Sequence, residues 1–309
     1  MRWTTYVSPS DSTTHVALVD DNKLHGVRDT TQLIELLDDA EAMAAAAERA
    51  KSDPIDVLEL ETAEVLAPVP VPPSVRDFYA FESHVLACAK ALDQPINPDW
   101  YELPVFYFQN PQATRGHRAE VEMAPGSTRF DFELEVAAVV GRAGRDLHPE
   151  EAEEHIAGYM LMSDWSARDL QAREMKQTMG PVKGKDTATS YGPWLVTPDE
   201  LSGRRGATAY DLKMTASVNG RPYSEGNLGD LHWSFGQMLA YASRGTLLVP
   251  GDIIGSGTVG TGCILELSLV HGEDQYPFLK VGDEVRLEVE ELGFISTTIR
   301  HGSDVIPLR

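Results

Sequence analysis

Cysteine is scarce in this sequence, with Cys88 and Cys263 the only two among 309 residues. Neither belongs to a group of closely spaced cysteines and histidines of the kind that binds zinc. Disulfides belong to oxidising compartments, so the chain is expected to be a reduced, cytoplasmic protein. Both cysteines are expected to fill the core rather than to act as nucleophiles.

Long apolar runs are also absent, since no stretch of eighteen apolar residues occurs that could form a transmembrane helix. The opening residues, Met1-Arg2-Trp3-Thr4, do not look like the start of a signal peptide. Hydrophobic residues nevertheless make up 42% of the chain, with 5 Trp, 9 Phe and 10 Tyr. This composition predicts a packed globular protein rather than a disordered chain.

Basic residues are outnumbered, because 26 Lys and Arg stand against 48 Asp and Glu and give a formal net charge of −22. A surface this acidic repels nucleic acid and anionic lipid, so neither is expected as a partner. It also repels anionic metabolites. A protein of this charge that handles carboxylic acids therefore needs a locally positive pocket, made from a metal ion, arginine and lysine.

A proline-rich connector, Pro68-Val69-Pro70-Val71-Pro72-Pro73, divides the chain. Four prolines in six residues form a stiff, non-helical segment. The connector marks the expected boundary between a small N-terminal domain, residues 1–72, and a larger domain, residues 73–309. The smaller part contains two short predicted strands around a polar turn, followed by an amphipathic helix over residues 31–51.

Beyond the connector the pattern is dominated by short β-runs. Strands are predicted at Val105–Phe108, Phe132–Val140, Gly158–Ser163, Trp194–Val196, Leu212–Val218, Asp252–Gly255, Ile264–Val270 and Glu284–Glu290. Helices are predicted at Ser83–Leu92, Glu150–Ile156, Ser166–Met179 and Leu231–Ser243. Asn219-Gly220 predicts a tight hairpin turn. The pattern favours a mixed α/β, β-rich fold with a folded-over mixed sheet rather than a doubly wound one.

Two carboxylates, Glu133 and Glu135, stand two residues apart at the head of the strand predicted over Phe132–Val140. A strand has period two, so both side chains leave the same face, about 7 Å apart. Like charges at this distance are costly to bury unless a cation lies between them. Asp164, after another apolar run, adds a third oxygen ligand, and such ligands suit Mg²⁺, Mn²⁺ or Ca²⁺ better than zinc. The alternative is a half-exposed strand with a solvated acidic face.

Asp77 comes directly after the connector, and His84 follows it by seven residues across a predicted strand-to-helix turn. Asp77 could supply a fourth metal oxygen, and His84 a general base. A single aspartate or histidine at the start of a helix is more often a cap or a satisfied surface group. Both interpretations stay open at this point.

Arg168 and Gln171 lie three residues apart in the helix predicted after Asp164 and therefore share a face. If Asp164 binds a metal, these two side chains could hold a carboxylate or keto oxygen beside it. Lys183 and Lys185 follow in a turn that lacks P-loop spacing, so positive charge near an oxyanion is favoured over phosphate binding. The alternative is an ordinary surface helix.

A glycine-rich segment, Gly255–Cys263, lies between two predicted strands. Backbone amides in such a loop can approach a ligand carboxylate, with the hydroxyl of Thr258 assisting. The segment is not a dinucleotide-binding fingerprint, because no helical pattern follows it. Glu266, in the next predicted strand, would be costly to bury unless paired, and an imidazole is a natural partner.

Taken in order, these motifs resemble the fumarylacetoacetate hydrolase superfamily and in particular its fumarylacetoacetase-like branch. The resemblance extends from about Asp77 to the C-terminus. It rests on Asp77-Phe78-Tyr79 followed by His84, Phe132-Glu133-Leu134-Glu135, Asp164-Trp165-Ser166-Ala167-Arg168-Asp169-Leu170-Gln171, Gly184-Lys185, Ser256-Gly257-Thr258 and Leu265-Glu266-Leu267.

The resemblance implies a role for each candidate residue. The implied metal ligands are Asp77, Glu133, Glu135 and Asp164, with Mg²⁺ as the first expectation and Mn²⁺ or Ca²⁺ as alternatives. The implied base is His84, oriented by Glu266. Contacts to the substrate or its oxyanion are implied for Tyr79, Arg168, Gln171, Lys185 and Thr258. The implied fold is a mixed β-sandwich roll in a homodimer, preceded by a small N-terminal domain.

The implied activity is divalent-metal-dependent hydrolysis of a carbon–carbon bond in a 1,3-dicarbonyl acid, such as an acylpyruvate or a fumarylacetoacetate-like diketone. One alternative is decarboxylation, isomerisation or hydration of a related keto acid through the same metal enolate. Another is a catalytically silent metal-binding protein, against which the presence of both His84 and Glu266 counts. Residues 92–126 do not match the substrate-binding segment of fumarylacetoacetase, so the acyl group stays open.

Overall fold

A computed structural model describes residues 1–91 and 93–309, and β-strands dominate it. The strands, in chain order, are β1 (Arg2–Val7), β2 (Thr14–Asp20), β3 (Lys23–Gly26), β4 (Val57–Glu59), β5 (Val75–Phe78), β6 (Phe106–Gln109), β7 (Thr114–Arg115), β8 (Val121–Glu122), β9 (Phe130–Asp131), β10 (Leu134–Val140), β11 (Ile156–Asp164), β12 (Ser166–Ala167), β13 (Thr189–Tyr191), β14 (Leu195–Val196), β15 (Lys213–Val218), β16 (Arg221–Asn227), β17 (Ile253–Gly255), β18 (Glu284–Val289) and β19 (Gly293–Arg300).

The helices are short. They are α1 (Ala40–Ser52), α2 (Glu82–Ala91), α3 (Pro149–Ala152), α4 (Arg168–Glu174), α5 (Phe235–Ala242) and α6 (Ile264–His271). Single 3-10 turns lie at Leu33–Leu36, Pro98–Tyr101, Pro111–Ala113, Glu153–His155, Met175–Gln177, Lys183–Lys185, Ser202–Arg204 and Leu228–Asp230. Within the described ranges, none of the helices has the length and apolar character needed to span a bilayer.

The strands form two main sheets. The larger runs β4-β3-β2-β1-β14-β11-β10-β17-β5-β6, with β13 and β7 attached beside β11. The smaller runs β16-β15-β18-β19-β8, and β12 pairs with β9. Most neighbours are antiparallel, but β17 with β5, β13 with β7 and β19 with β8 are parallel. The predicted mixed, β-rich fold is confirmed.

Strand β10 lies at the centre of the molecule, between β11 and β17, and every one of its residues is buried. Val136 and Ala138 belong to one apolar core, whereas Ala137 and Val139 belong to the other. Because apolar side chains cover both faces, the strand is a continuous apolar run rather than an alternating one. Any charged residue placed on it is therefore forced into the interior.

The first strands extend the same large sheet. β1 pairs with β14 through Arg2 opposite Val196 and Trp3 opposite Leu195, and Trp3 is fully buried. The proline-rich connector then leads into β5. The division into residues 1–72 and 73–309 stays a prediction.

The prediction of a strand at Ile264–Val270 is wrong, because these residues form helix α6. The side chain of Cys263 accepts a hydrogen bond from the Glu266 amide, and this N-cap starts the helix. Ile264, Leu267 and Ser268 are buried while Val270 is exposed, which is the spacing of a helix and not of a strand. A helix therefore does follow the glycine-rich loop, contrary to the expectation from the sequence.

Other predicted elements occur with different bounds. The helix expected over residues 31–51 is a 3-10 turn followed by α1, which begins after its N-cap Asp39. The helix predicted over Ser83–Leu92 is α2, with Leu92 itself outside the described residues. The turn at Asn219-Gly220 joins β15 to β16 with positive φ at both residues, so the predicted hairpin is confirmed.

The buried His117 gives the fold a predictable response to acid. It is 2% exposed, its ring packs edge-on against Phe294, and its Nδ1 has no hydrogen-bond partner among the described residues. Burial, helped by the charge of Arg118, lowers the pKa of His117 to about 4. Below about pH 6.5 the unfolded chain therefore binds a proton that the folded chain does not.

We expect the free energy of unfolding of the metal-free protein to fall by about 2–3 kcal/mol as the pH falls from 6.5 to 4.5, because the unfolded chain takes up a proton on His117. His117→Gln should remove this part of the acid sensitivity, and denaturant unfolding at the two pH values would measure it. His301→Gln, at an exposed position near the C-terminus, is the control and should keep the parental pH dependence. An unchanged pH dependence in His117→Gln would contradict the prediction.

Candidate metal centre and active site

Four buried carboxylates from three strands of the large sheet converge. Asp77 lies on β5, Glu135 on β10, and Asp164 at the end of β11, while Glu133 directly precedes β10. Strand β17 lies between β5 and β10 in the sheet, and its Gly255 pairs with Asp77 of β5 on one side and with Ala137 of β10 on the other. One oxygen from each carboxylate lies within 4.8 Å of one from every other. The structure thus brings together all four predicted metal ligands.

Burial and mutual repulsion disturb the titration of this cluster. Burial raises the pKa of Asp77 to about 6. Burial, together with the neighbouring negative charges, raises the pKa of Glu135 and of Asp164 well above the usual range. Burial would also raise the pKa of Glu133, but the nearby charges of Lys185 and Arg168 outweigh it and lower that pKa. The cluster therefore favours a bound proton or cation.

The unpaired oxygens of the cluster fit a metal ion. Among the described residues, both carboxylate oxygens of Glu135 and Oδ1 of Asp164 have no hydrogen-bond donor. Buried acceptors without partners are rare, and carboxylate oxygens are the ligands that hard divalent cations prefer. The donor set contains no sulfur or imidazole, which disfavours zinc. Asp77, Glu133, Glu135 and Asp164 could hold a divalent metal ion.

Two buried cations face the carboxylates. Lys185 Nζ donates to Glu133 and to Asp164. Arg168 donates through Nη2 to Glu133 Oε1 at 2.7 Å and through Nε to Asp131 Oδ2 at 2.8 Å. These two cations offset part of the negative charge of the four carboxylates. Because Arg168 is 6% exposed and held by both acids, its contact with substrate stays a prediction.

His84 on α2 and Glu266 on α6 form a second buried pair. The distance from His84 Nδ1 to Glu266 Oε2 is 2.6 Å, and the Glu266 Oε1 atom accepts from the Thr261 amide at 2.9 Å. Burial alone would lower the pKa of His84, but interactions with Cys88 and Glu266 raise it to about 10. The pairing expected from the sequence is present, although Glu266 lies on a helix and not on a strand.

Tyr107 and Gln109 are site residues that the sequence reasoning missed. The Tyr107 hydroxyl oxygen contacts Asp77 Oδ2 at 3.0 Å and also Asp164, so that its one proton is shared between the two carboxylates. Gln109 Nε2 donates to Asp77 Oδ2 at 3.1 Å. Both lie on β6, where Tyr107 is directly opposite Asp77. The alternation in Phe106-Tyr107-Phe108-Gln109 put the two polar groups on one face, and this was the available signal.

The glycine-rich loop packs directly against β5. Gly257 has φ +75°, and a Cβ there would collide with the carbonyl oxygen of Phe78. A Cβ on Gly255 would lie 2.6 Å from Asp77 Oδ1, and the Gly257 amide donates to that same oxygen at 3.2 Å. The glycines are thus required for close approach to a carboxylate of the cluster. Their predicted contact with a substrate carboxylate is a separate matter that stays a prediction.

The remaining candidates lie around this centre. Tyr79 packs edge-on against the His84 ring at 5.5 Å, and burial raises the pKa of its hydroxyl. Gln171 Oε1 accepts a hydrogen bond from Arg168 Nη1 at 3.1 Å. Thr258 is buried in the glycine-rich loop, and within the described ranges its hydroxyl makes no hydrogen bond to the four carboxylates. Their roles toward substrate stay predictions.

Comparison with known families matches the sequence of this chain to one of them. The profile described as "Fumarylacetoacetate (FAA) hydrolase C-terminal" matches residues 74–300, well over half of the chain. The chain belongs to the fumarylacetoacetate hydrolase family. The resemblance drawn from the motifs is therefore confirmed.

Relatives within the fumarylacetoacetate hydrolase family differ in their named activities. The fumarylacetoacetase of Oryza sativa subsp. japonica is 30% identical over 287 residues, covering 75% of this chain and 66% of the rice protein. The chain thus spans about two thirds of the length of that relative. The human mitochondrial oxaloacetate tautomerase FAHD2A is 31% identical over 264 residues, covering 85% of this chain and 78% of its own.

A solved structure shows the same fold. The maleylpyruvate hydrolase of Sphingobium sp. SYK-6, in complex with manganese(II) and pyruvate, superposes with a TM-score of 0.72. It is 22% identical and covers 98% of this chain and 100% of its own. At this identity the likeness establishes the shared architecture of the fumarylacetoacetate hydrolase fold.

The four carboxylates of this fumarylacetoacetate hydrolase family member should bind Mn²⁺ together. Glu135→Gln removes a carboxylate ligand without changing the shape of the side chain. We expect it to weaken Mn²⁺ binding at least tenfold by calorimetry, which corresponds to about 1.4 kcal/mol. The melting temperature of the metal-free variant should not fall, because neither oxygen of Glu135 has a hydrogen-bond donor to lose among the described residues.

The control for Glu135→Gln is Asp252→Asn, which alters another buried carboxylate that pairs with Arg76 and Ser74 outside the cluster. This variant should bind Mn²⁺ as the parent does. Parental Mn²⁺ affinity in Glu135→Gln would show that the cluster is not the metal site.

Metal binding should depend on pH with a definite sign. Below about pH 6 Asp77 holds a proton that a metal ion must displace, since its pKa is raised to about 6. Raising the pH from 5 to 7 should therefore strengthen Mn²⁺ binding about tenfold or more. Calorimetry in buffers of different ionisation enthalpy should detect release of protons on Mn²⁺ binding, because the raised pKa values of Asp77, Glu135 and Asp164 keep protons on the metal-free cluster. Affinity that is constant over this range would contradict the assignment of Asp77.

Proposed function

We propose that this chain is a divalent-metal-dependent hydrolase that cleaves a carbon–carbon bond in a 1,3-dicarbonyl acid, such as an acylpyruvate or a fumarylacetoacetate-like diketone. The observation that carries the proposal is the buried His84–Glu266 pair in a protein that also buries four metal-competent carboxylates. A metal-binding protein without catalysis would not need the imidazole pair. The names of the rice fumarylacetoacetase and the Sphingobium maleylpyruvate hydrolase support hydrolysis.

The divalent cation would be held by Asp77, Glu133, Glu135 and Asp164. When bound there, it would polarise the carbonyl oxygens of the substrate and stabilise the negative charge that develops on them. We propose Mg²⁺ as the native ion, with Mn²⁺ or Ca²⁺ as alternatives. The manganese(II) in the Sphingobium structure supports the manganese alternative.

His84 would act as the general base toward water. Glu266 accepts a hydrogen bond from Nδ1–H, which would leave Nε2 as the nitrogen that exchanges a proton with water. With a pKa of about 10 the imidazole keeps its proton at neutral pH, so it needs added positive charge nearby before it can accept one from water. The hydroxide formed when His84 takes a proton from water would add to a carbonyl carbon of the substrate, and the adjacent carbon–carbon bond would then break with its electron pair on the leaving carbon. The same imidazole would return its proton to that carbon.

Lys185, Arg168 and Gln171 would stabilise the oxyanion. The ammonium of Lys185 has three protons and uses two of them on Glu133 and Asp164, which leaves one for a substrate oxygen. Arg168 Nη1 donates a hydrogen bond to the side-chain oxygen Oε1 of Gln171, so the side-chain nitrogen Nε2 of Gln171 is left as a donor for the substrate. Tyr79 and Thr258 are proposed as further substrate contacts.

Isomerisation is the second candidate function, and the human relative named oxaloacetate tautomerase favours it. A tautomerase would use the same carboxylates and a proton-transferring base but would not consume water. Decarboxylation and hydration are related alternatives. Release of a carboxylic acid fragment from a diketone would distinguish hydrolysis from all of them.

Other properties of the protein are proposed on the same basis. A small keto acid or diketone would be its partner, and nucleic acid and membranes would not be. A homodimer and a cytoplasmic location complete the proposal. The larger domain, residues 73–309, would carry the chemistry.

The function is tested by assaying acylpyruvates and related diketones with Mg²⁺ or Mn²⁺ and following the loss of enol absorbance. His84→Ala should lower kcat by about 10²–10⁴-fold while Mn²⁺ affinity is retained. Glu266→Gln should lower kcat less, and the double variant should resemble His84→Ala because the pair acts as one unit. Parental hydrolysis by His84→Ala would refute the proposed base.

Glu266→Gln should also shift the pH profile in a defined direction. Glu266 raises the pKa of His84, so its neutralisation should move the acidic limb of kcat/KM to lower pH. The control is His148→Ala, an exposed residue that precedes α3, which should leave rate and profile unchanged. Survival of metal-dependent ketonisation in His84→Ala, with hydrolysis lost, would assign water activation to His84.

A further inference from the structure

Asp131 is a fully buried carboxylate that lies outside the group of four. It ends β9, two residues before Glu133, and its side chain is 0% exposed. Its Oδ1 accepts from the Ile264 amide at 2.7 Å, and its Oδ2 accepts from the Leu265 amide at 2.9 Å and from Arg168 Nε at 2.8 Å. One carboxylate thus joins the first turn of α6 to Arg168.

Each of these contacts leads to a different part of the site. The Leu265 amide adjoins Glu266, whose carboxylate holds His84. Arg168 also donates hydrogen bonds through Nη2 to Glu133 and through Nη1 to Gln171. Asp131 is therefore the shared partner of the helix that carries the imidazole pair and of the guanidinium that contacts the carboxylate cluster.

The chemistry of these contacts makes Asp131 difficult to replace. The first amides of a helix lack partners within the helix, and a carboxylate at this end also matches the helix dipole. An amide side chain of the same shape would turn two N–H donors toward backbone N–H groups or toward Arg168. With the amide nitrogen at the Oδ1 position the hydrogen bond from Ile264 would be lost, and at the Oδ2 position those from Leu265 and Arg168 would be lost, because donors cannot bond to donors. In either orientation the attachment of α6 is weakened.

We propose that Asp131 is a positioning residue, which fixes the His84–Glu266 pair relative to Arg168 and Glu133 by binding α6 and Arg168 at once. It has no hydrogen bond to His84 or to the four carboxylates within the described residues, so it would act through its partners. The effect on catalysis rests on the proposed function. The effect on the geometry of the imidazole pair does not.

The test compares Asp131→Asn with Asp131→Glu and with Asp56→Asn. Asp56 is a matched control, since it is buried and accepts from the hydroxyls of Tyr6 and Ser8 in the N-terminal part. The proton shared by His84 and Glu266 should give a far-downfield NMR resonance in the metal-free protein, identified by its loss in His84→Gln. Asp131→Asn should shift or broaden this resonance, and Asp56→Asn should not.

In the hydrolase assay Asp131→Asn should lower kcat by about 10–100-fold, as removal of a partner that orients a site typically does. KM should change less than threefold, and Asp131→Glu, which keeps the charge, should recover part of both the rate and the resonance. A parental resonance in Asp131→Asn, with only a stability loss like that of Asp56→Asn, would overturn the inference. If the parent hydrolyses no diketone, the proposed function fails, and the resonance alone still decides the role of Asp131.

Discussion

Repulsion among four carboxylates buried in an apolar sheet is the constraint on which the rest of the site depends. Asp77, Glu133, Glu135 and Asp164 bring oxygens within 4.8 Å of one another. Only the cations Lys185 and Arg168 contact this cluster in the described part of the chain, and Arg168 is shared with Asp131. The balance stays negative, so a proton or a divalent cation is needed to hold the cluster together.

Several neighbouring features follow from this requirement. Tyr107 and Gln109 donate hydrogen bonds to Asp77, and the Gly257 amide does the same from the opposite side. Gly255 has no side chain where a Cβ would meet Asp77. The acidic surface serves a different purpose, because charges in solvent are screened over about 10 Å and those in the interior much less. The net charge of −22 and the cation-seeking cluster are therefore separate properties.

Much of this arrangement was accessible from local patterns. Period-two spacing placed Glu133 and Glu135 together, and the apolar run around them predicted burial. The motif order predicted the family, which the profile match confirmed, and the β-rich fold is confirmed as well. The failure at Ile264–Val270 has a local cause: short apolar runs fit a strand or a buried helix equally well. The side chains of Cys263 and Asp131 accept hydrogen bonds from amides of the first helical turn and so favour the helix.

The sequence by itself determined which groups are present and which neighbours share a face: the acid pair, the apolar strand that carries it, the glycines and the imidazole of His84. Only the tertiary structure decided which groups meet. His84 and Glu266 are 182 residues apart, and Arg168 and Asp131 are 37 apart. Tyr107 reaches Asp77 because β6 pairs with β5. Periodicity acts over a few residues along one element, whereas these contacts depend on the order and register of strands in the folded sheet.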